Sequence, residues 1–157
     1  MALAALAVPT KQLLLFCPAD HHIPNAQGFA AMVEQGVAAA GQGAIVTFGV
    51  VPSFPSTAYG YIQQGQPQPD GSHKVARFIE KPAADQAQLL ILQGHVLWNA
   101  GIFLCQAEVL LNALHQHAPI FWLAASKPWP VPRKTKPSSG PSRRLSLPAA
   151  WKASTLQ

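Results

Sequence analysis

The sequence predicts an α/β domain built on a mostly parallel sheet. Apolar residues make up 49% of its 157 residues and charged residues only 11%, a balance that is typical of a globular domain with a sizeable core. A strand-like run at 13–17, a helical period from 26 to 40 and a second strand-like run at 44–51 follow one another directly. This order is a βαβ unit, whose two strands usually lie parallel in one sheet with active residues at their carboxyl ends.

The first predicted strand is the continuous apolar run Leu-Leu-Leu-Phe-Cys at 13–17, which ends at Pro18. A run of this kind favours a strand that is buried on both faces. The next helix is predicted to begin after Asn25, whose side chain can cap it, and to end at Gly41. Apolar residues recur at helical spacing between these two positions.

The second half of the domain is predicted to continue the α/β order. Residues 58–63 and 73–79 are predicted strands, and the Gly-, Pro- and Asp-rich stretch at 65–72 predicts a hairpin or meander between them. Three further elements complete the prediction: a helix at 83–93, a strand at 96–105 and a helix at 107–117.

The composition changes abruptly after Pro119. Residues 1–119 carry four Lys or Arg and all six acidic residues, a net charge of −2, whereas residues 120–157 carry seven Lys or Arg and no acid. The second stretch also contains six prolines and has no helical or strand period. These features divide the chain into a domain at 1–119 and a basic tail at 120–157 that is predicted to be disordered. A shifted reading frame is one explanation of such a change at a single point.

Cys17 and Cys105 are isolated in the sequence and show no Cys-x-x-Cys or Cys/His spacing. They are predicted to be reduced, apolar core residues, which indicates a cytoplasmic protein. The apolar N-terminus lacks a basic segment and is interrupted at 9–12, so neither a signal peptide nor a membrane span is expected.

Four short motifs follow one another along the predicted domain. They are Cys-Pro-Ala-Asp-His at 17–21, Tyr-Gly-Tyr-Ile at 59–62, Phe-Ile-Glu-Lys-Pro at 78–82 and Leu-Trp-Asn-Ala-Gly-Ile-Phe at 97–103. As a set they resemble the sugar-1-phosphate nucleotidyltransferases, and most closely the mannose-1-phosphate guanylyltransferases, over roughly residues 2 to 119. The resemblance implies a partial Rossmann-like nucleotidyltransferase domain in which the first strands of the family's sheet are missing.

The resemblance implies a reaction between GTP and mannose 1-phosphate that forms GDP-mannose and diphosphate. Such chemistry requires charge neutralisation and in-line positioning more than a nucleophilic side chain. Asp20 resembles the family's aspartate that holds the divalent metal in catalysis, and its hard carboxylate suits Mg²⁺. The alternative for Asp20 is a loop aspartate that caps backbone amides.

Glu80, Lys81 and Asn99 resemble the family's ligands for the sugar 1-phosphate. The resemblance assigns Glu80 and Asn99 to sugar hydroxyls and gives Lys81 a binding and a catalytic role at the phosphate. From residue types alone, an exposed ion pair before Pro82 is the commoner interpretation of Glu80 and Lys81. Asn99 is an amide in an apolar strand, so either a ligand or a buried backbone group must satisfy it.

Gly60 and Tyr61 are the predicted contacts to the hexose ring. A glycine between two tyrosines lets the backbone approach a sugar closely, and Tyr61 can pack on the ring. A strand bulge with core aromatics is an equally good interpretation. The family commonly has Thr-Gly before this motif, where this sequence has Thr-Ala at 57–58. The adjacent His21 and His22 point in different directions and are not a predicted metal pair.

Two features of the family have no counterpart in the sequence. No glycine precedes Gly28, so the Gly-rich basic loop that cradles the triphosphate is not found, and no aspartate follows Asp85. We therefore expect a truncated or frameshifted, poorly active fragment that retains the sugar-phosphate half of the site. The alternative is a non-catalytic protein that binds sugar phosphate, or that binds nucleic acid through its basic tail. Nucleic acid is the weaker partner prediction, because the cations of the tail follow no repeat.

Overall fold

Helices cover both faces of a five-stranded sheet in residues 1–127, the part of the chain that the computed structural model describes. The strands are β1 (Leu13–Phe16), β2 (Val46–Val50), β3 (Tyr61–Pro67), β4 (His73–Ile79) and β5 (Val96–Gln106). The helices are α1 (Ala2–Leu6), α2 (Ala26–Gly41), α3 (Ala84–Gln93), α4 (Ala107–His117) and α5 (Pro119–Ala125). The predicted α/β class is therefore confirmed.

The central strand is β5, which pairs along both of its edges. Leu104 pairs with Leu15 of β1 on one edge and with Val46 of β2 on the other. Nearer the start of β5, Trp98 pairs with Tyr61 of β3. β4 extends the sheet from β3 as the second strand of the predicted hairpin. β5 therefore links every other part of the sheet.

The strand pairings correct the predicted mostly parallel sheet. Within residues 1–127, every pairing is antiparallel. β1 and β2 both run antiparallel to β5, so they are parallel to each other, as the βαβ pattern predicts. They do not pair, because β5 lies between them. The pattern of the first 51 residues encodes the direction of these two strands but carries no information about the later strand that separates them.

The core is divided between the two faces of β5. Leu104 packs with Phe48 beneath α2, whereas its neighbour Cys105 packs with Leu110 of α4. Adjacent strand residues point to opposite faces, so α2 covers one face and α4 covers the other. Cys105 is buried as predicted, and burial raises the pKa of its thiol. Cys17 is exposed, which corrects its predicted place in the core, because the chain has already left β1 at this point.

A third cluster of buried residues lies where α3 packs on the β3–β4 hairpin. Tyr61, Ile79 and Leu90 are its principal members. Ile79 is the one buried residue of β4, and every other side chain of this strand is exposed. β4 is thus an edge strand that reaches the core only at its last residue.

The chain ends of the helices follow the predicted capping in part. Asn25 Oδ1 accepts a hydrogen bond from the Gly28 amide at 2.8 Å, and α2 begins at Ala26, directly after Asn25, as predicted. α1 has no counterpart among the predicted elements. α5 corrects the start of the predicted disordered tail, because residues 119–125 are helical and pack against α4. The tail from residue 128 onward, with the proposed nucleic-acid contacts, lies outside the described residues.

Among the helices of residues 1–127, none is long and apolar enough to cross a membrane.

Candidate functional site

A cavity of about 440 Å³ brings together residues from four segments of the chain. Its walls include Asp20 from the β1–α2 loop, Val50 from the end of β2, Tyr59 from the segment before β3 and Asn99 from the middle of β5. Asp20 and Asn99 are both predicted site residues. The fold therefore joins two motifs that are far apart in the sequence, and this cavity is the candidate site.

A second cavity, of about 570 Å³, lies between α2 and the β3–β4 hairpin. None of the predicted site residues lines it. Asp70, on its wall, accepts hydrogen bonds from the Ser72 hydroxyl at 2.7 Å and the Ser72 amide at 2.9 Å, and these bonds hold the pKa of Asp70 below its ordinary value. These bonds give Asp70 a structural role in the hairpin turn. The larger volume of the second cavity alone does not make it the functional site.

Asn99 is positioned by an irregularity in β5. The two-residue step from Thr47 to Gly49 in β2 faces a four-residue step from Phe103 to Asn99 in β5. Gly101 lies within this irregularity and has a φ of +68°, a left-handed conformation that favours glycine. Asn99 Oδ1 accepts hydrogen bonds from the Gly101 amide at 3.1 Å and from Thr47 Oγ1 at 3.3 Å. The oxygen of Asn99 therefore stabilises the local backbone.

The side-chain nitrogen of Asn99, Nδ2, is free to bind a ligand. No hydrogen bond within residues 1–127 engages Nδ2. In the same part of the chain, Trp98 Nε1 is the sole side-chain nitrogen or oxygen that is buried without a partner, so Asn99 Nδ2 is accessible. The two interpretations of Asn99 thus apply to different atoms: the fold uses Oδ1, and Nδ2 remains as a donor at the cavity wall.

Gly60 connects Asn99 with Glu80. The backbone N–H of Asn99 donates a hydrogen bond to the Gly60 carbonyl oxygen at 2.8 Å. A Cβ atom at position 60 would lie 2.7 Å from Glu80 Oε2 and 3.0 Å from Cζ of Phe78. A larger residue would therefore displace the Glu80 carboxylate. The side chain of Glu80 thus occupies the space beside Gly60, and the predicted approach of a hexose to this glycine stays a prediction.

Lys81 follows Glu80 at the exposed end of β4. The Lys81 side chain is 65% exposed and that of Glu80 is 60% exposed, and Nζ lies 3.9 Å from Glu80 Oε1. An ion pair this long and exposed contributes little to stability. Lys81 also has a φ of +44°, a strained conformation for a residue with a Cβ atom. Backbone strain of this kind is concentrated at functional sites, because there the surrounding structure maintains it.

Asp20 lies in an exposed turn after β1, on the loop that leads to α2. Nowhere in residues 1–127 do three His, Cys, Asp or Glu side chains come together as a metal-binding group. Mg²⁺ beside a nucleotide does not require such a group, because one or two carboxylates, waters and substrate phosphates usually complete its shell. A single exposed carboxylate at the cavity wall fits this mode of binding.

Tyr61 does not line the cavity, which corrects its predicted contact with a hexose. Its side chain is completely buried. The hydroxyl donates a hydrogen bond to the Ser56 carbonyl and accepts one from the Ser56 amide, both at 2.9 Å. The alternative of a core aromatic therefore describes Tyr61, because β3 begins at this residue and turns its ring toward α3.

Two aromatic residues of the cavity, Tyr59 and Trp98, are not among the predicted site residues. Tyr59 is 45% exposed, in contrast to the buried Tyr61. Each of the two lies next to a predicted ligand, since Tyr59 precedes Gly60 and Trp98 precedes Asn99. This adjacency is the signal in the sequence that could have identified them.

The fold and the cavity first define a class of protein. Glu80 and Lys81 do not line the cavity, and Glu80 is linked to it only through Gly60, the residue after Tyr59. An α/β domain whose cavity combines a carboxylate, an amide donor and aromatic walls suits a polar small molecule. The sequence model of the nucleotidyl transferase family matches residues 1–124. The chain therefore belongs to the nucleotidyl transferase family, and the match includes nearly all of α5.

Individual relatives are similar to most of this chain. A mannose-1-phosphate guanylyltransferase of Sinorhizobium fredii is 40% identical over 107 residues, 68% of this chain and 21% of that protein. The xanthan biosynthesis protein XanB of Xanthomonas campestris pv. campestris is 42% identical over 117 residues, 74% of this chain and 25% of that protein. The crystal structure of mannose-6-phosphate isomerase from Helicobacter pylori superposes with a TM-score of 0.71 at 35% identity, over 79% of this chain and 46% of that one. The chain thus spans a quarter or less of the length of these two curated relatives.

Proposed function

We propose that this chain provides the sugar 1-phosphate part of a mannose-1-phosphate guanylyltransferase site. In that reaction a phosphate oxygen of mannose 1-phosphate attacks the α-phosphorus of GTP. The bond from this phosphorus to the β-phosphate breaks, diphosphate leaves, and GDP-mannose is formed. The family match supports nucleotidyl transfer. The name of the Sinorhizobium relative supports the choice of GTP and mannose 1-phosphate.

The observation that carries the proposal is the continuous arrangement of Glu80, Gly60 and Asn99. The Glu80 carboxylate lies against Gly60, and the Gly60 carbonyl accepts the 2.8 Å hydrogen bond from the Asn99 amide. Glu80 and Asn99 therefore both adjoin Gly60, Glu80 through its side chain and Asn99 through its backbone amide. Hexose hydroxyls both donate and accept hydrogen bonds, so such a pair suits neighbouring hydroxyls of one sugar.

The phosphate end of the substrate is assigned to Lys81. Its ammonium group is exposed and only weakly paired, so an anion can bind it without breaking a strong contact. Asp20 would hold Mg²⁺, which when bound neutralises charge on the triphosphate. Asp20 and Lys81 are therefore the two residues that we place at the reacting groups. We place the reaction in the cytoplasm, where GTP and reduced cysteines are found.

The relatives' names also bear on the use of the product. One of them is named for xanthan biosynthesis, which supports a role for the product in polysaccharide synthesis. The Helicobacter pylori protein is named for an isomerase, yet this chain covers 46% of it. We prefer nucleotidyl transfer to isomerisation, because the family match is to nucleotidyl transferases.

Calorimetric titration with mannose 1-phosphate tests the proposal. The unmodified chain should bind this ligand, and Glu80→Gln should weaken binding about 10- to 100-fold, because hydrogen bonds to a charged group are lost. Asp85→Asn is the matched control, since it removes one exposed carboxylate from the first turn of α3 that does not lie against Gly60. Equal affinities of these two variants would contradict the assignment of Glu80.

A further inference from the structure

The two tyrosines of the chain, which flank Gly60, have opposite environments. Tyr61 is completely buried and bonded to Ser56, whereas Tyr59 is 45% exposed and lines the candidate site. Tyr59 lies in the segment before β3 and not in the strand. Its ring is therefore the tyrosine ring that a ligand in the cavity can reach.

Trp98 supports the ring of Tyr59 from within the sheet. The two ring centroids are 5.0 Å apart with an interplanar angle of 63°, an edge-to-face arrangement that is favourable for aromatic pairs. Trp98 belongs to β5 and packs against the buried cluster under α3, so its position is fixed by the core. The buried Trp98 Nε1 has no partner within residues 1–127. A buried donor left unsatisfied is uncommon in a folded protein, and its location at the cavity marks this wall as more than ordinary core packing.

We propose that the ring of Tyr59, supported by Trp98, is the wall on which the hexose ring of the sugar 1-phosphate packs. This inference rests on the proposed function and assigns to Tyr59 the role that the sequence assigns to Tyr61. Tyr59 is a binding residue for the sugar, and Trp98 is a positioning residue that acts through it.

The chemistry of a hexose agrees with this arrangement. Its hydroxyls form a polar rim, while the C–H groups of its ring form apolar faces. Asn99 and Glu80 supply a donor and an acceptor for the rim. A flat, partly exposed aromatic ring beside them covers an apolar face, as aromatic side chains commonly do in small-molecule sites. Tyr59 precedes Gly60, whose carbonyl accepts a hydrogen bond from the backbone amide of Asn99, so the Tyr59 ring is linked to the Asn99 side of the site.

The test combines titration of variants with a direct contact measurement. Tyr59→Leu, which keeps apolar volume but removes the ring, should weaken mannose 1-phosphate binding about three- to tenfold. Tyr59→Phe keeps the ring and should stay within about twofold of the unmodified chain. Phe54→Leu is the matched control. Phe54 packs on Trp98 with ring centroids 4.9 Å apart but does not line the cavity, so its loss should leave affinity unchanged.

Nuclear Overhauser measurements test the contact without any substitution. A deuterated chain with protonated tyrosines contains only two such rings, and the ring of Tyr61 is buried. Contacts from tyrosine protons to sugar protons would therefore report Tyr59. If Tyr59→Leu and the unmodified chain bind with equal affinity and no tyrosine-to-sugar contact is seen, the packing of the hexose on Tyr59 is overturned while the proposed function stays intact. Failure of the unmodified chain to bind mannose 1-phosphate would instead overturn the proposed function, and the wall with it.

Discussion

The two sides of the candidate site differ in how firmly the fold holds them. Asn99 lies in the central strand, pairs with Gly49 on one edge and donates its amide hydrogen to Gly60 on the other. Its side-chain oxygen accepts two further hydrogen bonds. Glu80 and Lys81 follow the last residue of the edge strand, with more than half of each side chain exposed and only a 3.9 Å ion pair between them.

This difference separates two kinds of functional residue. The Asn99 side is part of the structure of the sheet, so substitutions there should change stability and ligand affinity together. The Glu80–Lys81 side contributes little to the folded state, so substitutions there should change affinity while stability stays nearly constant. Under the proposed function, the rigid Asn99 side would position the sugar, and the exposed Glu80–Lys81 side would bind its phosphate end.

The largest expected loss of stability is on the Asn99 side of the site. Asn99→Ala should lower the free energy of unfolding by about 1–2 kcal/mol, because the Gly101 amide and the Thr47 hydroxyl lose their acceptor. It should also weaken binding of mannose 1-phosphate about tenfold, because the Nδ2 donor is lost. Urea unfolding and calorimetric titration measure the two effects.

Asn99→Asp separates the two functions of this side chain. The carboxylate retains an acceptor for Gly101 and Thr47 but has no donor, so stability should return toward that of the unmodified chain while binding stays weakened. If Asn99→Asp is as unstable as Asn99→Ala, the hydrogen bonds of Oδ1 do not account for the rigidity of this side.

Gly60 lies between the two sides, and its substitution should have an intermediate effect. The new Cβ atom of Gly60→Ala would meet the end of the Glu80 side chain and the ring of Phe78, both of which are exposed and can move. We therefore expect a loss of about 1 kcal/mol or less in unfolding free energy. Sugar-phosphate affinity should fall as far as in Glu80→Gln, because the carboxylate is displaced.

Gly41→Ala provides the comparison for Gly60→Ala. A Cβ atom at position 41 meets nothing within 4 Å and Gly41 ends α2, so this variant should be at least as stable as the unmodified chain and bind equally well. Unchanged affinity in Gly60→Ala would show that the Glu80 carboxylate is not held against Gly60 for the ligand.

The predictable part of the fold is the part that depends on local sequence. Asn25 and Gly41 predict the two ends of α2, and the apolar run before Pro18 predicts β1. The antiparallel pairing was not predictable, because it depends on where β5 inserts, and hydrophobic periodicity contains no information on strand neighbours. α5 was missed because its short apolar segment begins at a proline, which in sequence resembles the start of the Pro-rich tail.

The candidate site shows the same division. Asp20 and Asn99 were predicted as site residues and line one cavity, and Gly60 and Glu80 lie against each other beside Asn99. The motif resemblance assigned Tyr61 and not Tyr59 to the ligand, whereas β3 begins at Tyr61 and leaves Tyr59 outside the strand. A strand that contained both tyrosines would place them on one face, so their opposite environments depend on where the strand begins, which the local sequence does not fix.

The smallest expected loss of stability is at Lys81. Two variants of this residue separate the contribution of its charge from that of its backbone strain. Lys81→Ala removes the ammonium group but keeps a Cβ atom at a φ of +44°, so affinity for mannose 1-phosphate should fall with little change in stability. Lys81→Gly removes the ammonium group and the steric strain together, and should raise the free energy of unfolding by about 0.5–1 kcal/mol. The two variants should lose affinity equally, because both lack the cation, and differ only in their urea midpoints. If Lys81→Gly binds better than Lys81→Ala, the strained backbone at this position itself opposes binding.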